Sequence, residues 1–226
     1  MLFVFYTLGL VAGAAFSAAQ PSSSRITPAD DFDFCGRPSP PFFDASSYGA
    51  VGDGRTLNTA ALSRAISAAA AAATPASPQR VLITAGVYLS GQVVLLSGVT
   101  LCVSPTATLL ASHNGSDYPS DSSKWAFVFA DGAQRIGLGG GGVIDGDFEA
   151  YVTGFNYTND QYNWAGWPGC AGECRPRLVA FHGASDISVV NIVFTGSPDW
   201  TFHLLNCSRV HVRDWTQHGD ERWPNK

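Results

Sequence analysis

The chain has 226 residues, 46% of them hydrophobic and 14% charged, with 24 glycines and a net charge of −5. This composition fits a turn-rich folded domain with a sizeable core and excludes a disordered segment. The negative sign excludes nucleic acid as a natural partner, and any acidic ligand would have to be met by local Arg or Lys against the global charge.

Residues 1–19 carry no charge, hold an apolar run over residues 2–16 and end on the small residues Ser17-Ala-Ala19 before Gln20. This predicts a secretory signal peptide over residues 1–19, although its start lacks the usual Lys or Arg. An apolar run of about 15 residues is short for a bilayer, so no membrane attachment is expected after cleavage. Residues 20–41, rich in Pro, Ser and Asp, predict a linker, and residues 42–226 a single domain. Behind a signal peptide the sequons at Asn114, Asn156 and Asn206 become glycosylation candidates, with Asn206 expected to be shielded by an adjoining strand. Of the five cysteines, Cys170 and Cys174 lie in one Pro- and Gly-rich loop and are the disulfide candidates. Cys35, Cys102 and Cys207 cannot all pair with one another. No second Cys pair or His pair stands at ligand spacing, so neither a metal site nor a cofactor is expected.

Residues 42–58 predict a short strand and a Gly-rich turn, after which Asn58 caps a helix of about 15 residues. Leu62, Ala65, Ile66, Ala69, Ala70 and Ala73 recur on one face of that helix, which fits it for covering an open sheet edge. Strand-like segments follow at residues 81–83, 92–96, 99–103 and 108–110. Residues 111–124 predict a surface loop, 125–144 renewed strand structure, 147–177 a second insertion dense in Tyr and Trp, and 178–216 two further strand-rich turns.

These segments repeat. Ile187-Ser-Val189 returns as Val210-His-Val212 after a step of 23 residues. Ile136-Gly-Leu138 lies 51 residues before the first of these, and Val99-Thr-Leu101 a further 37 before that. Short β segments at such a spacing predict a solenoid, an all-β coil in which each turn buries its inward face against its neighbours.

Four places carry candidate chemistry. Asp145 and Asp147 form a close carboxylate pair, but the flanking glycines favour a turn. The loop with Tyr151, Phe155, Tyr157, Tyr162, Trp164 and Trp167 could stack on sugar faces or fold back over the coil. In Ser197-Pro-Asp-Trp200 followed by His203, Trp200 is a stacking candidate and His203 a polar one, although a rung corner with a hydrogen-bonded histidine explains both. Asp220, Glu221 and Arg222 read as a solvated charge run. No Ser/His/Asp order, phosphate loop or metal motif is present.

The segment Tyr48-Gly-Ala-Val-Gly-Asp-Gly-Arg-Thr-Leu-Asn-Thr59 with Ala65-Ile66 resembles the opening of pectin-degrading β-helix proteins. Gly142-Val-Ile-Asp-Gly146, Arg175-Pro-Arg-Leu178, Ser197-Pro-Asp-Trp200 with His203, and Gly219-Asp220 leading to Pro224-Asn225 follow in order. Together they resemble glycoside hydrolase family 28, of the plant polygalacturonase type, from about residue 43 to residue 226. The resemblance implies a right-handed parallel β-helix (a pectin-lyase-like solenoid) with an N-terminal capping α-helix. It also implies secretion to the extracellular space or cell wall, a monomer when whole, and inverting hydrolysis of α-1,4-galacturonan by aspartates without a cofactor.

In the family the first catalytic aspartate belongs to an Asn-x-Asp-Gly segment. Asn225 matches its Asn, a substrate-binding candidate beside His203, Trp200, Trp164 and Trp167, and Lys226 stands at x. The catalytic aspartates, the Gly-His-Gly histidine and the Arg-x-Lys pair match no residue here. The expectation is therefore an N-terminal portion, truncated on its C-terminal side and inactive by itself. The alternatives are a non-catalytic pectin-binding β-helix or pseudoenzyme, and a lyase, which would need carboxylates around Ca²⁺.

Overall fold

The computed structural model describes Cys35 and residues 42–159, 161–164, 167 and 174–219. The expected signal peptide, Cys170, Asn225 and all of the linker except Cys35 lie outside these residues.

The first turn begins with β1 (Phe43–Asp44), followed by a short 3-10 segment and the helix α1 (Thr59–Ala72). Asn58 occupies the N-cap position, but its side chain makes no cap bond. Its amide instead receives Val51 N at 2.7 Å and donates to the carbonyls of Val51, Thr56 and Leu89. At 1% exposure that side chain staples the Gly-rich turn to the coil. Ala61, Leu62, Ala65, Ile66 and Ala69 are buried, so the expected helical face packs on the first turn; Ala70 and Ala73 at its margin are half-buried.

The coil proper runs through β2 (Gln79–Ile83), β3 (Gly86–Ser90), β4 (Val93–Val94), β5 (Val99–Val103), β6 (Ala107–Ala111) and β7 (Ala126–Asp131). It continues through β8 (Gln134–Gly139) and β9 (Val143–Asp145), leaves for the antiparallel hairpin of β10 (Val152–Asn156) and β11 (Gln161–Trp164), and returns at β12 (Arg177–His182). It closes with β13 (Ser185–Thr195), β14 (Phe202–Leu205) and β15 (Ser208–His218).

Three parallel faces result. The first stacks β1, β2, β5, β8 and the start of β13 and β15; the second stacks β3, β6, β9 and the remainder of β13 and β15. The third stacks β4, β7, β12 and β14. The architecture is a right-handed parallel β-helix with a capping helix. The predicted steps are the observed register: Ile187 faces Val210, Ile136 faces Ile187, and Leu101 faces Leu138.

Inward positions alternate as a half-buried strand requires. On the third face Val128, Val179 and Phe202 form one inward row, and Ala130, Phe181 and Leu204 the next. Between strands the chain turns at residues with left-handed backbone. Gly132 (φ 63°), Gly183 (φ 59°) and Asn206 (φ 53°) make one corner column, linked by Gly132 N to His182 O and Gly183 N to Leu205 O. Arg135, Asp186 and Arg209, with φ of 55°, 56° and 52°, make a second column, and Asn191 and Asp214 a third.

Two insertions leave the coil between its second and third faces, one between β6 and β7 and the other between β9 and β12. They interlock through Tyr118, Tyr151 and Trp167. Both tyrosine hydroxyls donate to Ser112 O, and Trp167 Nε1 donates to Tyr151 Oη at 3.3 Å. Cys35 is disulfide-bonded to Cys102, and among the described residues Cys207 is a free thiol. Cys174 is also disulfide-bonded, and its expected partner Cys170 is outside the described residues. Asn114, Asn156 and Asn206 are all exposed, so Asn206 is not shielded as the sequence suggested. Its place in the corner column explains this, because a Cβ built on Gly132 meets nothing within 4 Å. No described helix is long and apolar enough to cross a membrane.

Candidate functional site

The outward face of the third sheet gathers the chemistry. Opposite the inward rows, Val94, Phe129, Ala180 and His203 form one outward row, and Asp131, His182 and Leu205 the next. His203 and His182 are therefore diagonal neighbours on one surface, with ring centroids 5.4 Å apart and edge to face. Phe129 supports His182 from the adjacent strand at 5.2 Å.

Trp200 precedes β14 and packs edge-on against His203 at 4.8 Å, with 58% of its own surface exposed. The Arg177 guanidinium lies 5.4 Å from the Trp200 ring centre and donates to the carbonyls of Ser123 and Trp125. An exposed indole with a cation over one face leaves the other for a pyranose ring that carries a carboxylate. The His203 imidazole is held below its ordinary pKa, first by burial and then by the charges of Arg177 and His182, with Asp199 opposing.

Trp200 and His203 are thus brought together, whereas Trp164 and Trp167 stand elsewhere. Trp167 is buried at 6% exposure, its ring against Tyr118, Trp125 and Tyr151, which is the fold-back arrangement. Trp164 carries the Arg175 guanidinium 3.6 Å from its ring centre, so that face is occupied. Sequence reading missed His182, and it met Arg177 only as part of Arg175-Pro-Arg-Leu178 without placing it at the site. The step of 23 residues locates them, because it carries His203 back to Ala180, with Arg177 and His182 on the same strand.

The close carboxylates serve a turn. Asp145 Oδ1 accepts from Asp147 N at 3.0 Å, and Asp147 Oδ2 meets His113 Nδ1 at 3.0 Å. Burial holds the Asp147 carboxyl above its ordinary pKa, partly offset by the hydrogen bond and charge of His113. Among the described residues no three His, Cys, Asp or Glu side chains converge as metal ligands. Asp220, Glu221, Arg222 and Asn225 lie outside the described residues.

With this geometry in place, the class is a right-handed parallel β-helix. The sequence profile of the Rhamnogalacturonase A/epimerase, pectate lyase-like family matches residues 42–124. A probable polygalacturonase of Vitis vinifera is 29% identical over 186 residues, covering 79% of this chain and 37% of that protein. The family 28 exopolygalacturonase of Yersinia enterocolitica superposes with a TM-score of 0.64 at 21% identity, covering 80% of this chain and 39% of that one. A hyperthermoactive exopolygalacturonase of Thermotoga maritima gives 0.62 at 21% identity, covering 78% and 46%. These likenesses bear out the resemblance to the family 28 polygalacturonases over a part of their length.

Proposed function

We propose that the protein is a secreted, pectin-degrading glycosidase of polygalacturonase type and that galacturonan lies across the outward face of the third sheet. Trp200 supports the reading most directly: it is a large aromatic ring, 58% exposed, that stands near a guanidinium. The ring offers an apolar plane to sugar C–H groups, and Arg177 meets the carboxylate despite the negative net charge. The family's catalytic aspartates match no residue of these 226. By themselves these residues therefore hold the polymer without cleaving it, since removing acid and base groups that act as a unit abolishes most of the catalytic gain.

Electrophoresis of the chain through gels containing polygalacturonate tests this reading. Retardation is expected from polygalacturonate and not from dextran, is lost with Trp200→Ala, and is accompanied by no release of reducing ends. Equal mobility in both gels would sink the binding reading, and release of reducing ends would overturn the claim of inactivity.

A further inference from the structure

The Arg177 guanidinium is aimed by backbone. Its Nη1 donates to Ser123 O and Trp125 O, both at 3.5 Å, and its buried Nε has no hydrogen-bond partner. Among the described residues no carboxylate forms an ion pair with it. Two long bonds from one nitrogen restrain a guanidinium weakly, so its direction follows wherever those two carbonyls are placed. They belong to the end of the first insertion, where the 3-10 turn Ser122–Lys124 runs into β7.

Trp125 ties that end down. Its Nε1 donates to Pro119 O at 2.8 Å, and its ring stands edge to face on Trp167 with centroids 4.7 Å apart. Trp167 comes from the second insertion. Its ring is buried against Tyr118 at 4.9 Å and lies so close to Gly115 that a Cβ built there would come within 2.9 Å of it. In a cluster packed this closely, Trp125 cannot shift unless Trp167 is moved or a void opens.

We propose that Trp167 is a positioning residue for the carboxylate-binding guanidinium: it wedges from the second insertion into the first, fixes Trp125, and so sets the two carbonyls that aim Arg177. The proposal rests on the reading of this face as a galacturonan site and adds to it a determinant of charge recognition. Trp200 supplies the stacking plane, and the two interlocked insertions supply the direction of the cation. A displaced guanidinium keeps its charge but loses the paired N–H geometry that a carboxylate uses.

A double-mutant cycle on the full chain, with the Kd for trigalacturonate read by titration calorimetry, provides the test. Trp167→Ala removes the wedge. Gly115 is not in left-handed backbone, so Gly115→Ala keeps the ring and displaces it without backbone strain. Arg177→Gln should weaken Kd about tenfold, as for a lost hydrogen bond to a charged group. Trp167→Ala and Gly115→Ala should each weaken it about fivefold while Arg177 is present, and by less than about twofold in the Arg177→Gln background. A general loss of structure would instead cost the same in both backgrounds, and that result would overturn the proposal. If Trp167→Ala loses the near-ultraviolet circular dichroism of the folded chain, Gly115→Ala decides by the same criterion. Wild-type affinity in Gly115→Ala and Trp167→Ala, or in Arg177→Gln, would overturn the proposal while leaving galacturonan binding at Trp200 intact. No binding by the wild type would overturn both.

Discussion

Asp147 shows how a residue that looks catalytic can be absorbed by structure. It stands in left-handed backbone at φ 55°, donates its backbone N–H to Asp145 Oδ1, and reaches across to His113 on the other insertion. Because its folded pKa is raised above 3.8, the folded state binds the proton more tightly than the unfolded chain does. Stability attributable to this group therefore falls as pH rises from the ordinary value through the raised one. Asn keeps the size of the side chain and tolerates left-handed backbone. The urea midpoint of wild type relative to that of Asp147→Asn should thus fall as pH rises between about 3.5 and 6. Parallel curves for the two proteins would count against the assignment. The site itself was half legible at this scale. Trp200 and His203 stand together in sequence and were picked out, whereas His182 and Arg177 arrive from the preceding turn and become neighbours only through the register.

At the scale of elements, the strands with strict inward alternation were readable from sequence, and so were their steps of 23, 51 and 37 residues. β3 was missed because it opens on Gly86 in a turn-like context and its buried row includes the polar Ser90, which breaks the apolar alternation. The hairpin of β10 and β11 was missed because its partners are Phe, Tyr and Trp packing on one another, with no periodic apolar face. Helix α1 was legible, and its role can be tested. Ile66 is 1% exposed at its contact with the first turn. Ile66→Ala removes that packing and leaves a cavity beneath a rigid element, so a loss of about 3 kcal/mol is expected in equilibrium unfolding. A loss below about 1 kcal/mol would mean that the helix is not the seal of that end.

For the whole molecule, the two ends of the described coil differ. Helix α1 covers the first turn, whereas β15 pairs with β13 and, among the described residues, with no strand beyond it. Val210 and Trp215, whose partners Ile187 and Ile192 in β13 are buried, remain 37% and 42% exposed. A long strand edge of this kind, with Val210 and Trp215 exposed along it, recruits other strands. Sedimentation of the 226-residue chain should show association that grows with concentration, and a monomer at all concentrations up to about 100 µM would contradict this.

The corner columns bear on how the coil counts its own residues. Positions 132, 183 and 206 share one backbone handedness, as do 135, 186 and 209, and 191 and 214. Sliding β15 by one residue would ask Val210 or Ser208 to take the left-handed state now held by Arg209, and Trp215 or Arg213 to take that of Asp214. Each such residue adds about 1–3 kcal/mol of strain to a slip that already turns the inward row outward. Alignment of the turns is therefore checked twice, once by which side chains meet the interior and once by the chirality of the corners, and a misaligned turn fails both checks together.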